Sequence, residues 1–348
     1  MSKSRLAASA LPFIAAALTA CGSPAETSRP EQPPAAAQPT APAALTREAV
    51  ESAVFETAPA PVEGQPARPD AATARAQILL DRANFSPGVI DGLGGDNTRQ
   101  AIAAFEKAAG LPQDGVLDAE VFRRLTSGDD GRVLTDYTIT AADLSGPFIG
   151  QVPASLADMA KLKTVGYATP LEMLAEKFHM TEGLLQALNP GVDFGKAGQT
   201  IIVAAVAQTD LAAEVAHIVV DKAERSVRVY DASDKLLAFY PATIGSSARP
   251  APSGELSVVG VAPEPNYTYD PDRVSYDRGD RKVIVPPGPN NPVGSVWIDL
   301  SRDTYGIHGT PDPSKVGKTF SSGCVRLTNW DAEQLASKVK PGVRVTFR

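Results

Sequence analysis

Hydrophobic positions along this chain change their spacing twice, and each change marks a different kind of structure. Between Ala72 and Thr126 apolar residues recur at helical intervals: Ala76, Leu79 and Leu80, then Ala101, Ile102 and Phe105, then Val121, Phe122 and Leu125. Residues three and four apart share one helix face, so this spacing predicts three short amphipathic helices, a small α domain over residues 71–127. The Asp91-Gly92 and Asp114-Gly115 pairs between them suit turns and helix caps. Helical spacing returns from Pro170 to Phe178 and from Thr181 to Leu188, followed by Asn189-Pro190-Gly191 and a strand-like Gln199–Val203. Residues 160–205 therefore read as an α/β segment. From about Ala216 the period falls to two, through "AHIVVDKAERSVRVYD", "KLLAFYPATIG", "GELSVVGVAP", "SVWIDL" and the closing "RVTFR". Only Trp330–Val339 breaks it with a helical pattern, so residues 216–348 are expected to form one mostly-β domain in a multidomain chain.

Composition adds what lies before the helices. Residues 22–70 are rich in Pro and Ala and poor in aromatics, a composition that cannot bury enough apolar surface to fold and that makes an extended tether. Residues 1–21 carry Lys3 and Arg5, then an apolar run too short to span a bilayer comfortably, then small residues before Cys21, which is the layout of a secretion signal. The chain has 348 residues, 43% of them hydrophobic, enough for two or three domains with at least one sizeable core. Its formal net charge is −7 and no Lys/Arg-rich block interrupts it, so nucleic acid is excluded as a partner.

Chemistry concentrates at the C-terminal end. The chain has two cysteines, and with Cys21 in the signal no disulfide framework is expected. Cys324 stands in "FSSGCVRLTNW", sixteen positions after His308 in "YGIHGTPDP", with Gly309 and Gly323 beside the pair. A free thiol is mostly protonated at neutral pH, and an imidazole that takes its proton or holds the thiolate as an ion pair makes it a nucleophile. Gly323 would let the backbone approach a substrate carbonyl closely. An isolated cysteine also serves as a small buried apolar residue, but Cys324 sits in a Ser/Gly-rich turn outside any apolar run. No metal site is expected: there are three histidines, His179 has no partner at metal spacing and reads as a surface or packing residue, and His217 lies in a strand as a structural one.

Four stretches resemble known families. "LTAC" at the end of the signal resembles the bacterial lipoprotein signal, which implies lipidation of Cys21, a membrane partner reached through that lipid, and a periplasmic location at the outer membrane. "SPGVIDGLGGDNTRQAIAAFEKAAGLPQDGVLD" resembles the small three-helix peptidoglycan-binding domain, and residues 160–205 are similar to a degenerate LysM module with "ATPL" where "GDTL" is usual. The fourth, "HGT" followed by "SSGCVR" within residues 216–348, resembles the L,D-transpeptidase domain of the YkuD/ErfK type, with Ser322 where many members have histidine and Ala251 in place of a threonine. That resemblance implies Cys324 as nucleophile, His308 as general base with its ring oriented by the Gly309 carbonyl, and an oxyanion site at the Gly323 and Cys324 amides beside Ser322. Arg326 would bind a substrate carboxylate or tie down the loop, and no cofactor is implied. Peptidoglycan tetrapeptide stems and glycan are the implied partners, with a stem amine, a wall-linked lipoprotein's lysine or water as acceptor. A non-catalytic tether between outer membrane and wall is the reading from another class.

Overall fold

The computed structural model describes residues 45–55, 68–128, 131–206, 210–247, 249–274 and 277–348. The three expected helices are α2 (Ala71–Arg82), α3 (Asp96–Ala109) and α4 (Ala119–Ser127), and a five-residue helix α1 (Arg47–Glu51) precedes them. Their starts follow from local chemistry: the Asp70 and Asp118 carboxylates accept the amides of Thr73 and Val121, each at 2.8 Å, satisfying donors that a helix leaves open at its first turn. Helix α1 corrects the reading of residues 22–70 as tether throughout. Val50 is fully buried, and the Glu51 carboxylate accepts from the amides of Val133 and Leu134 at 3.2 and 2.8 Å. One amphipathic turn inside a Pro/Ala-rich stretch does not alter its average composition. The rest of that stretch up to residue 44 and over 56–67, and the signal with Cys21, lie outside the described residues.

The α/β segment starts earlier than residue 160. Strand β1 (Leu134–Thr138) pairs antiparallel with β2 (Thr200–Ala204), Tyr137 opposite Ile201. Between them lie a short helix α5 (Leu156–Met159) and the helices α6 (Pro170–Lys177) and α7 (Glu182–Leu188), the last two capped by Thr169 and Thr181. The apolar faces of α2–α4, α6 and α7 and of β1 and β2 merge into one core, including Leu80, Ile102, Phe122, Leu174, Leu185 and Ile201.

The period-two region builds a nine-stranded sheet in the order β5-β4-β3-β13-β7-β10-β11-β12-β6. Its strands are β3 (His217–Asp221), β4 (Ser226–Tyr230), β5 (Leu236–Pro241), β6 (Thr243–Ile244), β7 (Gly254–Pro263), β10 (Val296–Leu300), β11 (Gly306–His308), β12 (Val325–Arg326) and β13 (Arg344–Phe347). A separate hairpin of β8 (Tyr267–Tyr269) and β9 (Val283–Val285) packs Tyr269 and Val285 against Leu156 and Val165 of the upstream segment. Helix α8 (Asn329–Lys338) follows β12 and buries Ala332 and Leu335 in the sheet's core. His217 stacks on Tyr230 at 4.7 Å, the structural place expected of it.

The helical unit and the sheet are joined by backbone pairing. Residues 84–86 run beside the edge strand β5: the amide of Phe239 donates to the Asn84 carbonyl and that of Ser86 to the Phe239 carbonyl, both at 2.9 Å. The Phe239 side chain, although carried by β5, belongs to the helical core and is fully buried. On the same loop Ile90 exchanges backbone bonds with His179 and Thr181, at 2.8 and 3.0 Å. His179 itself packs flat on Trp330 of α8 and bonds Asp81 at 3.0 Å, so it is a packing residue between three elements. Replacing Phe239→Ala opens a cavity where the two layers meet and should destabilise the protein by about 3–5 kcal/mol. Urea unfolding followed by circular dichroism checks this, with helix and sheet signals expected to shift together.

Candidate active site

Alternation along three neighbouring strands sorts side chains between the core and a cavity of about 670 Å³. On β10, Val296, Ile298 and Leu300 are buried in the core, while Trp297 and Asp299 line the cavity. On β11, Ile307 enters the core and His308 the cavity; on β12, Val325 enters the core and Arg326 the cavity. β11 and β12 run parallel with Ile307 beside Val325 and His308 beside Arg326, which puts Cys324 one step back on the register, level with Gly306. Cys324, His308 and Arg326 thus share one face of the sheet. The Leu327 amide on the His308 carbonyl, at 2.8 Å, and the Gly309 amide on the Val296 carbonyl, at 3.2 Å, pin the backbone around the histidine.

His308 is buried and its ring is stacked on Trp297, with centroids 5.3 Å apart. Its Nδ1 lies 2.6 Å from the carbonyl oxygen of Gly309. A carbonyl can only accept, so Nδ1 carries the proton and the lone pair resides on Nε2. Burial lowers the imidazole's pKa to about 3, the Arg326 charge adds to the effect, and the Gly309 and Val293 backbones oppose it. The ring is therefore neutral at neutral pH and available as a base.

The Cys324 loop is held by its own serines and glycine. Ser321 Oγ donates to the Cys324 carbonyl at 2.5 Å and accepts the Gly323 amide at 3.2 Å. Gly323 has φ +113°, and a Cβ there would lie 2.9 Å from the Tyr305 ring, so both its backbone and its surroundings require glycine. Its amide would have to leave Ser321 to reach a substrate oxygen. The Cys324 thiol donates to the Thr304 carbonyl at 3.5 Å; burial pushes its pKa up, against the Gly306 backbone and the Arg326 charge. Burial thus favours the neutral thiol and the neutral imidazole at neutral pH.

Cys324, His308, Ser322 and Arg326 all line this cavity, while Gly309 and Gly323 shape the backbone beside it. Sequence reasoning missed Trp297 and Tyr305 among its other walls, whereas Asn266, Tyr267, Thr268, Arg273 and Arg278 fall in "EPNYTYDPDRVSYDRGDRK", a stretch in which the sequence reading places acceptor contacts. Trp297 had a signal in the alternation of "SVWIDL". The hairpin had only three-residue strands separated by a long charged loop. An ion pair from Arg273 to Asp303, 2.6 Å, joins that loop to the turn between β10 and β11.

Two pH dependences follow. Unfolded His308 takes up a proton below its ordinary value of 6.5, whereas the folded residue does so only near 3, so its contribution to stability declines as pH falls through that window. Urea midpoints at pH 7 and pH 5 should accordingly drop further in the wild type than in His308→Gln. The alkylation rate of Cys324 by iodoacetamide should climb with pH beyond the ordinary thiol range; a plateau already reached below pH 7 would instead mark a thiolate–imidazolium pair.

Two stretches of the chain match known families. Residues 215–346 match the family described as "YkuD: L,D-transpeptidase catalytic domain", and residues 70–125 match the "Putative peptidoglycan binding domain". The Bacillus licheniformis protein named "Putative L,D-transpeptidase YkuD" is 34% identical over 179 residues, which is 51% of this chain and 92% of that protein. "Probable L,D-transpeptidase YbiS" of Escherichia coli is 31% identical over 189 residues, 52% of this chain and 61% of that one. A crystal structure of L,D-transpeptidase 3 from Mycobacterium tuberculosis aligns with 38% of this chain and 60% of its own, at 16% identity and a TM-score of 0.32. With a catalytic domain of this type, and with nearly the whole of the Bacillus relative aligned to this chain, the chain belongs to the YkuD family of L,D-transpeptidases and is an enzyme.

Proposed function

We propose that the protein cross-links peptidoglycan through a Cys324 thioester. Neutral His308 takes the thiol proton as sulfur attacks the carbonyl at position three of a tetrapeptide stem; the amide bond to the terminal D-alanine breaks, and that proton passes to the departing amine. An amine of a second stem then attacks the thioester, forms the new amide and returns the proton to sulfur through His308. The observation that carries this reading is the placement of a neutral, oriented imidazole and a thiol on one face of adjacent strands, in a cavity large enough for a peptide stem. Arg326 would bind a stem carboxylate, consistent with its place on the cavity wall. The Cys324 amide, with that of Gly323 once released, would hold the oxyanion.

In this reading the helical domain holds the wall, residues 160–205 act as a LysM-like spacer, and lipid on Cys21 anchors the chain at the outer membrane facing the periplasm. The spacer role is supported by the core that this segment shares with the helical unit. Mass spectrometry after incubation with disaccharide-tetrapeptide should give a cross-linked dimer lacking one D-alanine from the wild type and none from Cys324→Ala. Disaccharide-tripeptide alone would assign water as the acceptor, and a product with a lysine-bearing lipoprotein peptide would assign a protein.

A further inference from the structure

Glu176 puts a carboxyl where burial penalises it. It is the penultimate residue of α6, upstream of the catalytic domain, and only 7% exposed. Burial raises its pKa to about 8, Asn329 opposes the shift, and Glu172 and Glu333 add to it. Its Oε1 is buried and has no hydrogen-bond partner among the described residues. Such a group lowers stability, so its retention calls for a use.

The use lies on its other oxygen, which accepts from Asn329 Nδ2 at 3.0 Å. Asn329, the first residue of α8, is 4% exposed and has both ends of its amide engaged. Nδ2 donates to Glu176 and to the Pro289 carbonyl at 3.2 Å; Oδ1 accepts the amides of Thr310 at 3.1 Å and Ser295 at 3.2 Å. Two acceptors face one end and two donors the other, so turning the amide over breaks all four bonds. Thr310 directly follows Gly309, whose carbonyl holds the His308 proton. A Cβ on Gly309 would lie 2.2 Å from Asn329 Oδ1, so the amide is seated directly against that turn. A second bond crosses the same boundary, from Asn290 Nδ2 to Glu172 of α6 at 2.9 Å.

We propose that Glu176 and Asn329 are positioning residues for the base: the carboxyl of α6 orients the Asn329 amide, which fixes the His308–Gly309–Thr310 turn so that the imidazole keeps its proton on Nδ1 and its lone pair on Nε2. The active site is then complete only while the upstream segment is docked on α8. This rests on the reading of His308 as base to Cys324.

The test compares the wild type with Glu176→Gln, Glu176→Met and Asn329→Asp in the full chain. Acylation of Cys324 is driven by p-nitrophenyl acetate, which needs no peptidoglycan, and the His308 Nδ1–H signal is read by ¹⁵N NMR. Gln keeps an acceptor for Asn329 and should retain at least about half the acylation rate. Met removes it and Asp sets a carboxylate against Glu176; each should acylate about tenfold slower or worse and lose the Nδ1–H signal. Glu176→Met should nonetheless melt at or above the wild-type temperature, because it relieves a buried carboxyl, and it decides the matter if Asn329→Asp does not fold. Wild-type rates with an intact Nδ1–H signal in Glu176→Met overturn the proposal, and so does a loss of rate that tracks a fall in melting temperature. A wild type that is not acylated at all would refute the Cys324–His308 pairing, while the NMR signal would still report on the turn.

Discussion

The site depends on a two-residue parallel pairing between β11 and β12. It brings a histidine and a cysteine, sixteen positions apart, to one face of one sheet, and parallel strands need a crossover to meet at all. Two residue pairs are too few to be stable alone, so the pairing is set by what flanks it. β10 packs against one side, β6 against the other, and the serine-held turn before Cys324 and the asparagine-held turn after His308 close its two ends. The neutral state of His308 and Cys324 follows from the same enclosure: burial penalises either charge, and outweighs the backbone groups that would favour it.

How much of this is legible in the sequence depends on where each side chain finds its partner. Helices α2–α4, α6 and α7 announce themselves because their apolar faces repeat locally and, at all of them but α3, a capping side chain precedes them. β1 does not: in "LTDYT" only Leu134 is fully buried, and its identity as a strand comes from β2, more than sixty residues away. Cys324 and His308 are legible because a reactive residue in a glycine-rich turn has few structural reasons to be there. Tyr305 is not, since an ordinary loop residue acquires its role only from the cavity it happens to face. Glu176 is the sharpest case. In "PLEMLAEKF" it has the look of a solvated helix residue, and nothing local reveals that α8 covers it.

The larger architecture reverses the usual picture of wall-binding modules strung along flexible connections. The peptidoglycan-binding unit shares its core with the segment that follows it, receives Phe239 from the catalytic sheet and pairs with the edge of that sheet. An unpaired β edge invites unwanted association, and here the loop of residues 84–86 covers it. The same contacts therefore protect the sheet and fix one unit on the other.

That rigid joint also determines how the enzyme searches its substrate. A module on a flexible linker samples a volume around its attachment point, and the local concentration of targets falls smoothly with linker length. A catalytic centre fastened to the wall-binding unit by backbone pairing reaches one offset and one orientation. Under the proposed function, stems at that offset would meet it at high effective concentration, and the clasp at Phe239 would make the domain pair a ruler laid along the polymer.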